Sequence, residues 1–395
     1  MTPDKNRQPP AAQHARAAEL IDAALASVPR SDQRRWGSLY VRGLQTAEGR
    51  KTVRAVANSV GHRIEQNLNQ FISKSPWEWE PVRRTLAEHL QQLARPRAWV
   101  VHPLVISKLG AHSVGVEERF VAELGRVVNC QRATGVWLAA DHFSCPVDWR
   151  LDLSERWAGH PERRRRAAIP EPVRPESGPQ HAVAMLAAMA GRWGLERRPV
   201  VMDLRGAEAA PVCRALLAHR LPFVVRIDPP ARLPELRPAE RAAVRCPDPA
   251  AAWDARLRLR RLPVEWLDHT TGAVRVTAVG SAPVELADAP GDPADLVLLA
   301  SWNDRGRPGS GGHWLSNLGR HPVGQLYRTA RLSLRVERDQ AEVGSGLGLR
   351  DFEGRSFPGW HHHMTMVSLA HAVTLLPAAD AARPAATAAR VEPAA

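Results

Sequence analysis

The sequence predicts an α/β protein: a mixed sheet covered by helices, preceded by an all-helical region and split by a β-rich insertion. Three observations carry that prediction. From Ala15 to about Arg95, apolar residues recur at three- and four-residue spacing, the period of one helix face. Beyond Arg95 the texture changes to short apolar runs alternating with helical stretches. From about 229 to 324 the chain is too long for a plain loop and shows two-residue alternation.

Each element follows in order. "AAELIDAALASV" and "VRRTLAEHLQQL" read as amphipathic helices of a unit spanning 14–95, and Pro76 sits near a helix start, where its missing N–H costs little. Arg42, Arg50, Lys51, Arg54 and Arg63 give this unit basic faces, which suit either solvent or DNA. Three apolar runs follow, "AWVV" (98–101), "GVWLAA" (135–140) and "WRLDL" (149–153), then a helix over 180–193. "PVVMDL" (199–204), a helix from Ala207 to Arg220 and "PFVVRI" (222–227) complete the first part, 96–228. Three strands followed by alternating units imply a mixed sheet, and the order is also that of ribonuclease-H-like domains. In the insertion, 229–324, "RLRLRRLPVEWL" and "GAVRVTAVG" alternate like half-buried strands. A helix from Gln325 to Glu342 opens the last part of the core, 325–376. The ends, 1–13 and the Ala/Pro-rich 377–395, have the composition of disordered segments.

A chain of 395 residues can bury a sizeable core in two or three domains. Its 54 basic and 41 acidic residues leave a formal charge of +13, which suits a partner made of phosphates. Nearly all the basic residues are arginine, a skew that a GC-rich genome also produces. The four cysteines form no C-x-x-C pair, so neither a zinc knuckle nor a redox motif is indicated. Without a signal peptide or a long apolar run, the expectation is a cytoplasmic protein with free thiols.

Candidate chemistry gathers at a few places. His102 stands where the apolar run "AWVV" stops and is followed by Pro103; ligand, base and replacement of another residue are all open for it. Asp203 ends "PVVMD", at a strand end where open α/β sheets keep their sites, although a helix cap reads the same way. Glu337 lies on the helix after the insertion. Arg163 and Arg164, within "RRRR" (163–166), are candidate phosphate contacts in a connection. "WHHHM" (360–364) invites a metal, but consecutive helix residues point in different directions, so a structural role is expected. Of the insertion tryptophans, Trp253, Trp266, Trp302 and Trp314, Trp302 is the first candidate to stack on an extruded base.

A set of blocks then occurs in order over roughly residues 30 to 376: "GLQTAEGRKT", "NQFISKSPWEWEPVRRTL", "HSVGVEERF", "GRVVNCQ", "RRRRAAIP", "HRLPFVVRI", "HWLSN" and "PGWHHHMTMVSLAHA". With them the chain resembles bacterial insertion-sequence transposases of the DDE class, specifically the insertion-sequence 701 family. The resemblance implies a helical DNA-binding region, a ribonuclease-H-like core with a β-strand insertion, and strand cleavage and transfer with Mg²⁺ or Mn²⁺. It also implies double-stranded DNA carrying terminal inverted repeats as partner, with a homodimer on that DNA. By the same resemblance Asp203 and Glu337 are metal ligands and catalytic acids, while His102 occupies the place of the first Asp, beside Pro103. An Arg four residues before the Glu and a Lys seven after it are replaced by Ser333 and Gly344. Imidazole is softer and neutral, so it suits Mg²⁺ poorly. The copy is therefore expected to be catalytically impaired, unless an acid such as Asp141 compensates. The alternative is a non-catalytic DNA-binding protein derived from a transposase.

Overall fold

A computed structural model describes residues 11–381 except 62, 122–123, 177, 240–247, 290–294 and 303–310. Five helices come first: α1 (Ala11–Leu25), α2 (Ser31–Thr46), α3 (Val53–Val60), α4 (Glu65–Ser73) and α5 (Trp79–Ala94). Thr52 caps α3 by accepting from Ala55 N, and α5 stops where Arg95 turns left-handed. Four strands follow: β1 (Ala98–Ser107), β2 (Glu117–Val121), β3 (Arg126–Ala140) and β4 (Phe143–Leu151). Short helices α6 (Glu155–Ala158) and α7 (Pro161–Ala167) lead to α8 (Gly178–Ala190), β5 (Val200–Asp203), α9 (Ala209–Ala218) and β6 (Phe223–Ile227). The insertion holds β7 (Leu236–Pro238), α10 (Pro249–Leu259), β8 (Leu262–Asp268), β9 (Ala273–Leu286), β10 (Val297–Trp302) and β11 (His313–Ser316). Helices α11 (Val323–Ala330), α12 (Leu332–Asp339) and α13 (Phe357–Ala381) close the chain. None of the described helices is long and apolar enough to cross a membrane.

The sheet is mixed. β1 and β3 pair antiparallel, and β3 carries β2 and β4 in succession along its other edge. β5 pairs parallel with β1, and β6 parallel with β5. These two short strands are apolar and buried on both faces, as parallel strands under helices must be. β11 then pairs antiparallel with β6, and β10 and β9 continue outward, with β7 and β8 both on β9. The insertion therefore extends the same sheet.

α13 is the spine. It is buried on all sides over residues 359–372, which is how a helix without a polar face must sit. It packs on α1, α2, α4 and α5 and on β4, so one continuous hydrophobic core runs from Leu20 through the sheet to Leu376.

Several expectations change. β1 does not stop at His102 but runs five residues further, pairing His102 with Gly135 and Pro103 with Thr134. Proline is tolerated because its nitrogen, on the same edge as its carbonyl, faces away from β3, toward Gln340. Residues 256–259 belong to α10, whose start Asp248 caps, and the strand begins only at Leu262. The helix expected over 325–342 is broken at Arg331 and ends in a π-helical turn over Gln340–Gly344. Arg163 to Arg166 lie in helix α7 rather than in an irregular connection. α1 starts at Ala11 and α13 reaches Ala381, inside both segments expected to be disordered; their remainders lie outside the described residues.

Candidate active site

Trp99 and Val100 of β1 pair with Val200 and Val201 of β5, and the pairing ends there; His102 lies two residues beyond it on β1 and Asp203 two residues beyond it on β5. Asp203 pairs with Arg226 on β6, and Arg226 with Trp314 on β11. Neighbours in register share a face, so Asp203, Arg226 and Trp314 form a row. His102 is half-buried beside Gly135, where a Cβ would stand 2.6 Å from the Trp149 ring; only glycine lets that indole lie over the strand. The His102 Nδ1 is 2.9 Å from its neighbour's carbonyl, Pro103 O.

Helices α11 and α12 cover this face. Gln340, just past α12, donates to Pro103 O at 3.2 Å. Glu337 sits one turn earlier and is exposed. Two residues beyond it, Asp339 is buried and accepts from Ser144 N and Oγ at 2.9 and 2.8 Å and from Arg335 Nε at 2.8 Å. That carboxylate fastens α12 to β4.

Asp203 is paired with arginine rather than gathered with other acids. Arg205 Nε donates to both its oxygens, at 2.9 and 3.0 Å, and Arg205 Nη2 approaches Oδ2 at 2.6 Å. Arg226 Nη1 lies 3.7 Å from the same oxygen. The turn that brings Arg205 back depends on Gly206, which takes φ +70° and donates its N–H to Asp228. Pairing with Asp203 raises the Arg205 pKa, whereas burial, then repulsion from Arg205, lowers that of Arg226. Among the described residues no three His, Cys, Asp or Glu side chains gather closely enough to hold a metal ion. The donor set, one imidazole, one ion-paired carboxylate and one exposed glutamate, does not fit a hard dication seeking several oxygens. Asp141, the candidate substitute, is engaged by Arg97 and stands 4.0 Å from His269 Nε2, at the tip of the β8–β9 hairpin.

The expected DNA contacts divide. Lys51 is buried and its ammonium donates to Ala47 O, so it presents no charge to a phosphate. Arg164 turns inward and donates to the carbonyls of Ala158, Pro170, Glu171 and Val173, holding a loop together. Arg163 lies over the Trp157 ring at 5.2 Å. Trp302 is buried, with Nε1 donating to Asp254 at 3.1 Å and Arg258 over its ring, so it fills the core and is not presented to a base. Arg50 pairs with Glu353 at 3.2 Å but keeps most of its side chain in solvent. Arg54 is exposed at a cleft of about 810 Å³ whose walls also carry Glu65, Asp351 and Glu353. Arg205, Arg226 and Arg331 were not among the sequence candidates. The one signal for them was a charged residue, Arg226, inside the apolar strand "FVVRI".

The fold is a mixed α/β sheet with an acid and an arginine side by side near the ends of β5 and β6. Residues 24–255 match the family model described as DDE superfamily endonuclease, and the chain belongs to that family. Endonucleases of this superfamily act on DNA and generally use divalent metals. The match ends before the strands β8 to β11 and before Glu337. No curated protein matches the chain.

Proposed function

We propose that the chain is a DDE-type transposase by descent, of the insertion-sequence 701 type with a ribonuclease-H-like core. It recognises double-stranded DNA at the terminal inverted repeats of an element, in the cytoplasm and as a homodimer. Family membership and the strand order β4-β3-β1-β5-β6 support the ancestry. This copy is impaired in strand cleavage and transfer. The observation that carries the impairment is Asp203 bound through both oxygens to Arg205, while His102 takes the first acid's place. Two-metal cleavage needs carboxylates converging on the ions, and of the two acids that remain Asp203 is paired with arginine and Glu337 is exposed on α12. The second reading, a non-catalytic DNA-binding protein derived from a transposase, is favoured by the guanidinium groups around Asp203.

The test is binding and nicking of a duplex carrying the element's own ends, with Mg²⁺ or Mn²⁺. The expected result is binding whose log K falls as log salt rises, with no cleavage. His102→Asp recovers little, because Pro103 constrains the backbone at 102 and Arg205 still holds Asp203. Robust cleavage by the unmodified chain, abolished by Asp203→Ala, would overturn the impairment. Absence of binding at low salt would overturn the DNA partner.

A further inference from the structure

We propose that the rung at Asp203 binds a phosphate of the DNA backbone directly, through Arg205, Arg226 and Arg331, so that a site of the metal-binding class has become a metal-free anion site. The inference rests on the reading of the chain as a DNA-binding protein.

Two guanidinium groups meet at Asp203, and a third, Arg331, stands on the same aromatic cluster as Arg226. Arg226 lies 3.7 Å from Asp203 and its CZ is 5.9 Å from the Trp314 ring centroid. Arg331, at the break between α11 and α12, lies over Trp266 at 4.2 Å and Tyr327 at 5.9 Å. Trp266 and Trp314 each meet Tyr327 edge-on, making one aromatic floor under both arginines. An apolar floor holds the planar groups in place and strengthens their pull on an anion. The Nε atoms of Arg226 and Arg331 are buried and find no acceptor among the described residues. Those nitrogens are closed off from any ligand and fix the side chains in place, so an anion meets only the outer end of each group; Arg226 keeps 35 % of its side chain exposed.

Charge decides the sign of the ligand. Asp203 answers Arg205 and, at longer range, Arg226; no carboxylate among the described residues pairs with Arg331. Arg205 and Arg226 converge on one carboxylate, which leaves an excess of positive charge there. A dication would add to that excess, whereas a phosphate, which guanidinium groups bind in forked geometry, relieves it.

The experiment measures duplex binding by the full chain in EDTA as salt is varied, for the unmodified protein and for Arg226→Gln, Arg331→Gln and Arg226→Lys. Each Gln variant is expected to bind about tenfold more weakly, with any sequence, and to lose about one unit of salt slope, the behaviour of a lost phosphate contact. Arg226→Lys keeps the charge but loses the fork, so it should keep the salt slope while binding more weakly than the unmodified protein, which separates charge loss from misfolding. Replacing EDTA by Mg²⁺ at matched ionic strength should not tighten binding. Duplex binding unchanged in both Gln variants would overturn the inference while leaving the DNA partner standing. So would tightening by Mg²⁺ that disappears in Asp203→Asn. If the unmodified chain binds no duplex, the wider reading fails and inorganic phosphate decides the site. A rise in Tm with phosphate, over chloride of equal ionic strength, that Arg226→Gln loses would sustain it; no rise would overturn it.

Discussion

Arg83 is 1 % exposed, yet every arm of its guanidinium is used. It donates to Asp148 at 2.9 Å, to Trp149 O at 2.8 Å, to Thr365 Oγ1 at 2.8 Å and to His361 O at 3.0 Å. Burial lowers its pKa to about 10, so it stays protonated at neutral pH and the pair with Asp148 survives. One side chain thus ties α5 to β4 and α13. Arg83→Met would leave Asp148 buried without its cation, a loss of about 3–5 kcal/mol. Urea unfolding followed by tryptophan fluorescence measures it, and an unchanged midpoint would show the network to be dispensable. Lys51 and Arg164 teach the same lesson at lower stakes: both look like surface charge in the sequence and both are consumed by backbone carbonyls.

At the scale of the element, α13 carries four buried histidines, each aimed at a different neighbour. His363 lies 3.0 Å from Tyr40 Oη and 2.9 Å from Gly348 O, an arrangement a neutral ring satisfies completely. His371 donates from Nε2 to Ser144 O, and His361 stacks on Trp79 at 4.6 Å. Both nitrogens of His362 face carbonyls, of Ile72 and Trp77, which favours the protonated ring; burial outweighs this. Burial holds His362, His363 and His371 down to about 4 and pushes His361 well below its ordinary value. The unfolded chain takes up these protons near pH 6.5 and the folded chain only near 4, so acid favours unfolding between those values. Stability is complete above about pH 7 and falls as pH drops, by about 2 kcal/mol per histidine at pH 5. Thermal melts from pH 7.5 to 4.5 check it. A Tm flat across that window would mean that the rings protonate in place.

For the whole molecule, the consequence of α13 is that the N-terminal helices share one core with the sheet. Residues 14–95 read as a domain by pattern, but their apolar faces close on α13 and on the sheet in a single core. Deleting residues 1–95 would expose the Trp360–His371 stretch and leave Asp148 without Arg83. Such a fragment is expected to be insoluble or molten, seen as lost near-ultraviolet dichroism. A folded, cooperative fragment 96–395 would show that the two parts are separate domains after all.

Local periodicity was enough for much of this fold, because burial of one face imposes it directly. The amphipathic helices α1 and α5, the apolar strands β5 and β6 and the trio β1, β3 and β4 were visible as patterns. So was the place of Asp203 at a strand end, since a polar residue closing an apolar run has few other positions. Residues 256–259 were not legible, because "RLRLRR" fits a strand by alternation and a helix by composition, and the Asp248 cap settles it for the helix. Trp302 offered no sign of which way its ring turns; Asp254, one helix away, decides that. Local pattern cannot carry the row Asp203, Arg226 and Trp314 either, because it joins three strands far apart in the chain. The sequence by itself determined the α/β class, the most strongly periodic helices and apolar strands, and that an imidazole stands where the family resemblance expects a carboxylate. Only the tertiary structure decided what surrounds the remaining acid, because charge neutralisation depends on distance through space, and Arg205 and Arg226 reach Asp203 through a turn and a strand pairing.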